Sequence, residues 1–388
     1  MVPPVRRIIT LGDNKLVYNS IIGFVGDRLT HRGNFVEAGK NRMKLVQITR
    51  RILIPAVYNI LIIIVLFSGA ELVYRVYVAR RTIFERLPFF QYDKDLGWIP
   101  RPGIYSNLGG RVTIDSNCFR KMERSKNSSN KQLILACGDS FTFGYDVSDE
   151  ETWPFFLATM LDCRVVNAGV TGYGLDQTVL RLSKIIDDVK PDLVIVSMIW
   201  GDIHRCGLSK RERFKPYFDL VDGRLVLFNT PVPKPGTLPD RLPWYERSLI
   251  FHRLKRTWYG HLNPGHIRAH NRGMELSPHL IDWAIRMSYK NGARIMVLIQ
   301  PSMVDGWPNQ VPKCAELEST IRTTGVMVLN LTEELFAIIP GKEDKMMKYF
   351  RGWNDEHMTP EGNRWVAEKL TNFIKEEDLL CNTNKGEL

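Results

Sequence analysis

The chain has 388 residues but only six cysteines (Cys118, Cys137, Cys163, Cys206, Cys314 and Cys381), and no two of them form a CxxC pair. Zinc ribbons, zinc fingers and thioredoxin-type redox centres need such paired spacing, so no metal site is expected. The scattered cysteines give no disulfide connectivity and leave the redox compartment open. No internal repeat is present, which argues against a solenoid or a propeller. A full dinucleotide fingerprint is missing too: Gly172-Tyr173-Gly174 lacks the remaining spacing, so no organic cofactor is expected. Acidic residues are scarce at the head of the chain. Residues 1–51 carry ten Lys/Arg against Asp13, Asp27 and Glu37, a balance of +7 out of a net +11. The high pI is therefore a property of the first segment. It does not mark a nucleic-acid-binding domain, and no nucleic-acid partner is expected.

What is present begins with an uncharged run. Residues 52–70 read ILIPAVYNILIIIVLFSGA. As a helix this run is about 28 Å long, close to the hydrocarbon thickness of a bilayer. A buried core helix and a cleaved signal peptide are the competing readings. The leader before the apolar run is too long for an ordinary signal peptide. A single-pass transmembrane helix is expected, with 1–51 as a basic cytoplasmic segment. The basic excess on that side predicts an exported C-terminal domain at the cell membrane. Residues 71–130 read as a stalk and a turn-rich entry segment, with a strand at 111–114.

From Lys131 onward strands and helices alternate. Strands are predicted at 131–137, 164–167, 193–198, 293–300 and 326–330. Helices are predicted at 152–161, 176–189, 280–291, 314–323 and 360–374. In the second helix Val179, Leu182, Ile186 and Val189 recur at helical spacing. Leu193–Met198 is apolar throughout, as a strand covered on both faces should be. The pattern implies an α/β domain over 131–375 with a doubly wound, parallel five-stranded sheet. Residues 205–278 interrupt it. They are rich in proline and basic residues, hold a predicted hairpin turning at Asp222-Gly223, and read as an insertion over the carboxyl edge of the sheet. Residues 376–388 form a tail.

Cys137-Gly138-Asp139-Ser140 leaves the first strand on a turn, so Ser140 lies at the carboxyl edge where open α/β folds bind ligands. Asp355-Glu356-His357 lies just before the last helix, with Thr359 as its N-cap and Pro360 at its first position. A serine hydroxyl is a poor nucleophile until a base takes its proton and a third group orients the base. Ser140, His357 and Asp355 supply those three roles if folding brings them together. Asp139 reads as structural, bonding its own loop amides. The glycine-rich loop Asn167–Gly174 follows the second strand and could present backbone donors to an oxyanion.

These blocks resemble those of the SGNH (GDSL-type) hydrolases. Gly138-Asp139-Ser140 matches the first block, Asn167 through Gly172 the second, and Asp355…His357 the last. Leu96-Gly97-Trp98, Gly144, Thr152-Trp153-Pro154, Lys190-Pro191-Asp192 and Lys215-Pro216-Tyr217 are similar to a membrane-anchored bacterial branch. The resemblance implies a flavodoxin-like SGNH fold and hydrolysis of an acyl ester, without cofactor, on an ester or acylated-glycan substrate. It assigns Gly172 to the oxyanion hole. Gly201 and Asp202 fall in the third block, with Gly201 where an asparagine side chain usually donates. The usual last block is Asp-x-x-His, which would put Asn354 at the acid position; Asp355 is preferred because it carries charge. Trp200, His204 and Arg205 are candidate pocket residues. A polysaccharide O-acyltransferase using the same triad, or a degenerate glycan- or partner-binding module, are the alternatives.

Overall fold

The computed structural model describes residues 46–47, 49–80, 89–106, 109–122, 132–211, 213–234, 248, 250, 264–303, 310–338, 343–352 and 355–380. The basic segment before residue 46, the polar loop 123–131, the middle of the 205–278 insertion, Asn354 and the tail after residue 380 lie outside the described residues. The chain divides into two units, Met1–Val73 and Tyr74–Leu388.

Helix α1 (Ile54–Arg80) contains the uncharged run and continues past it. Thr49–Val76 is long and apolar enough to cross a membrane. Ile60, Ile63, Val65, Leu66 and Leu72 all stand exposed along it. The helix runs on through Glu71–Arg80, the helical continuation that the sequence predicts there, since that stretch contains no proline or glycine to stop it.

The second unit opens with two short antiparallel pairs, β1 (Phe90–Asp93) with β2 (Gly97–Pro100) and β3 (Gly103–Tyr105) with β4 (Val112–Ile114). Its centre is a five-stranded parallel sheet built from β5 (Leu133–Cys137), β6 (Arg164–Asn167), β7 (Leu193–Met198), β10 (Arg294–Ile299) and β11 (Met327–Asn330). The spatial order is β11-β10-β7-β5-β6. Numbered by sequence, the sheet runs 2-1-3-4-5, the doubly wound flavodoxin-like order. Its switch point lies between β5 and β7, so the turns that carry Ser140 and Gly201 flank one crevice.

Alternation along the strands divides the core in two. Leu135, Cys137, Val194, Val196, Ile295 and Val297 face one cluster, where Val179, Leu182 and Ile186 of α4 (Leu175–Val189) pack. Ile134, Ala136, Leu193, Ile195, Met296 and Leu298 face the other. That side is covered by α3 (Trp153–Met160) and α10 (Pro360–Glu376), through Trp153, Leu157, Val366 and Leu370. Burying both faces is why these strands read as unbroken apolar runs.

The predicted strands lie within a residue or two of those observed, and the β8 (Tyr217–Val221) and β9 (Arg224–Phe228) hairpin turns at Asp222-Gly223 as expected. The helix predicted at 314–323 starts four residues earlier, at Gln310, and one other departs further. Instead of starting at residue 280, α6 spans Pro264–Lys290 with Pro278 inside it. Proline has no N–H for the carbonyl four residues back. Here the Ser277 hydroxyl donates to that carbonyl, Met274 O, at 2.9 Å. Part of the expected insertion is therefore regular helix. Among the described residues, Cys118, Cys137, Cys163, Cys206 and Cys314 are free thiols.

Candidate active site

The serine is held by a wired turn. After β5 the chain enters α2 (Ser140–Phe143), whose N-cap is Asp139. The Asp139 carboxylate accepts the Phe141 N–H at 2.9 Å, the structural task expected of it. Gly144 ends this short helix in the left-handed region at φ +78°, and its N–H reaches Ser140 O at 3.0 Å. The turn is then pinned from below by Arg120. Its fully buried guanidinium pairs with Asp149 at 3.1 Å and donates to the carbonyls of Phe143, Gly144 and Val147. Asn167, at the end of β6, donates to Thr142 O at 2.8 Å and accepts from Gly169 N at 3.0 Å. The second block is thereby tied directly to the first.

The histidine arrives from the other end of the chain. Strand β13 (Asp355–Met358) pairs antiparallel with β12 (Phe350–Gly352), and Thr359 then caps α10, accepting from Gly362 N at 3.1 Å. This brings His357 Nε2 to 3.0 Å from Ser140 Oγ, across 217 positions of sequence. The imidazole lies against Tyr145 and Phe141, with ring centroids 4.6 and 5.5 Å away. Ser140 is 5% exposed, while the His357 side chain keeps 22%. For Nε2 to accept the serine proton, the ring proton must sit on Nδ1. Nδ1 faces Asp146 Oδ2 at 3.6 Å. Of Asp355 the backbone is described, in register with Gly352; its carboxylate lies outside the described residues.

Behind the serine runs a buried charge network. Asp139 Oδ2 lies 3.3 Å from Ser140 Oγ, a second acceptor for the single proton that His357 Nε2 faces at 3.0 Å. Arg205 Nη1 reaches that same carboxylate oxygen at 3.3 Å, Asp202 Oδ1 at 2.5 Å and Tyr173 O at 2.9 Å. Asp202 also accepts the Ile199 N–H at 3.1 Å. One guanidinium thus serves two carboxylates. Burial first, and then the charge of Asp139, push the Asp202 carboxyl well above the usual range, against the pull of Arg205. Asp202, in the third block, is buried and tethers its own loop through the Ile199 N–H while reaching Asp139 through Arg205. Nearby, Lys215 is fully buried, pairs with Asp176 at 2.5 Å and donates to Arg205 O at 3.1 Å. Burial lifts the Asp176 carboxyl to about 6, with Lys215 opposing.

Gly172 lies in the loop after β6 at φ +83°, and a Cβ there would approach Arg211 and Trp98. The Trp98 indole donates to Thr171 O at 3.0 Å, and Trp98 O accepts from the Tyr173 hydroxyl at 2.6 Å. The entry segment therefore brackets Gly172 on both sides. Gly201 is buried in the first turn of α5 (Trp200–Cys206), after β7. Of the pocket candidates, Trp200 is a core side chain with its edge to His204, and Arg205 belongs to the charge network. Sequence reasoning missed Asp146, Arg120 and the hold of Trp98 on the Gly172 loop. Asp146, six residues beyond the serine, carried a positional signal, whereas Arg120 carried none. Among the described residues no group of three or more His, Cys, Asp or Glu is placed to hold a metal ion.

No family model matches the chain. An arylesterase from Vibrio mimicus is 31% identical over 85 residues, which is 21% of this chain; the match spans 42% of that relative's length. Among solved structures, a putative lipolytic protein of the G-D-S-L family from Desulfitobacterium hafniense is similar at 19% identity, covering 62% of this chain and 98% of that one, with TM-score 0.33. A psychrotrophic esterase from Pseudoalteromonas sp. matches at 13% identity, 63% and 98% coverage and TM-score 0.38. An acetylxylan esterase from Geobacillus stearothermophilus matches at 11% identity, 65% and 96% coverage and TM-score 0.34. At these identities and scores the matches assign no activity.

Proposed function

We propose that the chain is a membrane-anchored serine hydrolase of the SGNH type that cleaves an acyl ester, acetyl or short-chain, outside the cytoplasm. The observation that carries this reading is the 3.0 Å contact between Ser140 Oγ and His357 Nε2 on the carboxyl side of the sheet. Ser140 Oγ attacks the acyl carbon as its proton passes to His357 Nε2, giving a tetrahedral oxyanion. The C–O bond to the alcohol then breaks, and the alcohol leaves with that proton. Water, deprotonated by the same imidazole, frees the acid and restores the serine. Backbone N–H groups of Ser140, Gly172 and Gly201 are the proposed oxyanion donors. Gly201 has no side-chain amide, and a missing donor typically slows such sites by ~10²–10³-fold. A carboxylate behind the imidazole fixes its tautomer and stabilises the imidazolium; the sequence pattern offers Asp355 for that place. The apolar α1 and the basic residues ahead of it support a single-pass anchor with the domain exported.

The test uses the full chain in detergent with p-nitrophenyl acetate and a fluorophosphonate probe. Wild type is expected to hydrolyse the ester and take the label, and Ser140→Ala to do neither. Undiminished hydrolysis by Ser140→Ala removes the reading. A further arm adds an oligosaccharide acceptor. Faster turnover with acetylated sugar as product would move the assignment to acyl transfer.

A further inference from the structure

We infer that Asp146 is the carboxylate that positions and charges His357, in place of the acid expected from the Asp-x-His pattern. This rests on the reading of Ser140 and His357 given above. Asp146 Oδ2 lies 3.6 Å from His357 Nδ1, the nitrogen left to carry the ring proton once Nε2 faces the serine. The side chain is only 16% exposed, so its charge is poorly screened. The separation is that of an ion pair rather than a short hydrogen bond. Such contacts commonly tighten when substrate binds.

The local backbone serves this arrangement. Asp146 sits at φ +64°, a left-handed conformation that aspartate and asparagine tolerate better than most residues. That turn follows Gly144 and is fixed on either side by Arg120, which holds the carbonyls of Gly144 and Val147. Arg351, beside β13, donates to Asp146 O, joining the acid's turn to the histidine's hairpin. Serine and acid therefore come from one rigid segment, and both face a single imidazole. Among the described side chains, the groups around His357 are Ser140, Asp139 behind it, Tyr145 against the ring face, Asp146 at Nδ1 and Arg351 next to Asp146, while Asp355 and Glu356 precede it in sequence on its own strand.

The experiment compares Asp146→Asn with Asp355→Asn in the full chain in detergent. The first readout is the His357 pKa, followed by NMR on protein with isotope-labelled histidine and assigned with His357→Gln. It needs no turnover, so it stands even if the esterase reading fails. A neighbouring carboxylate favours imidazolium, so its loss lowers the imidazole pKa. Asp146→Asn is expected to give the larger fall. An Asp355→Asn fall that equals or exceeds it, or no fall from Asp146→Asn, overturns the inference. The second readout is the pH profile of ester hydrolysis. Asp146→Asn is expected to cut kcat by on the order of 10²–10⁴-fold with KM little changed. The acid limb should move to lower pH and Asp146→Glu should restore part of the rate. Asn keeps the turn, so a Tm close to wild type is expected. A Tm loss with an unmoved pH profile would make Asp146 merely structural. Loss of the esterase reading itself would show separately, as Ser140→Ala that still hydrolyses.

Discussion

The two halves of the Ser140–His357 contact are built by different means. Ser140 sits on a turn anchored in the sheet's core, with Asp139, Asn167 and the buried Arg120 fixing its backbone from three directions. His357 rides on a two-stranded hairpin of short strands, with an irregular register between Phe350 and Gly352. It is secured by the cap of α10 and by aromatic contact. A lone hairpin is marginal unless it packs on something larger. The difference teaches that Ser140 is preorganised by burial, whereas His357 is delivered by a local element whose alignment rests on a few contacts.

The strongest test of that contrast is chemical. His357→Gln is expected to lower the hydrolysis rate by on the order of 10⁴–10⁶-fold with Tm nearly unchanged, since a partly exposed group is lost from a peripheral hairpin. A large fall in Tm would mean the hairpin is as integral to the fold as the serine turn. On the serine side stability should carry the effect. Arg120→Met strands Asp149 and three carbonyls in the core, and breaking a buried pair costs ~3–5 kcal/mol. Denaturant unfolding showing less than about 1 kcal/mol would erase the asymmetry. Asn167→Ala removes the link between the first two blocks, and ~1–3 kcal/mol of stability should go with it. Smaller still is Trp98→Phe. It keeps the ring but deletes the indole donor to Thr171 O, and roughly tenfold in kcat is expected if Gly172 contributes an oxyanion donor. An unaltered rate would take Gly172 out of that role.

The charge network adds a pH signature. The folded-state pKa of Asp202 is raised, so the native state binds more protons than the unfolded chain above the ordinary carboxylate range. Its contribution is therefore present at low pH and lost as pH rises through the elevated pKa. Asp202→Asn mimics the protonated form, and its Tm should fall less steeply than wild type across that rise. A parallel pair of Tm–pH curves would show that Asp202 is charged throughout.

Much of this was readable before folding. Leu193–Met198 is bounded to the residue because a strand buried on both faces leaves a continuous apolar run between turn residues, whereas Arg164–Asn167 is a partly exposed edge strand marked by its Val-Val pair and the glycine-rich loop after it. Pro278 misled, because proline's usual veto of a helix is lifted here by a hydroxyl one residue earlier, and no local pattern announces that. Trp98 was visible as part of a motif, but its hold on the Gly172 loop depends on residues more than seventy positions later. Asp146 and His357 lie in different elements far apart in the chain, and no local pattern links them.

The sequence by itself determined the alternation of strands and helices, the apolar helix ahead of them and the identity of the serine and histidine. These depend on local periodicity, on runs long enough to span or fill a layer, and on turn residues. Only the tertiary structure decided which groups surround those two side chains. Distances between loops at one sheet edge follow from strand order and loop packing, and neither is written in any single stretch of chain.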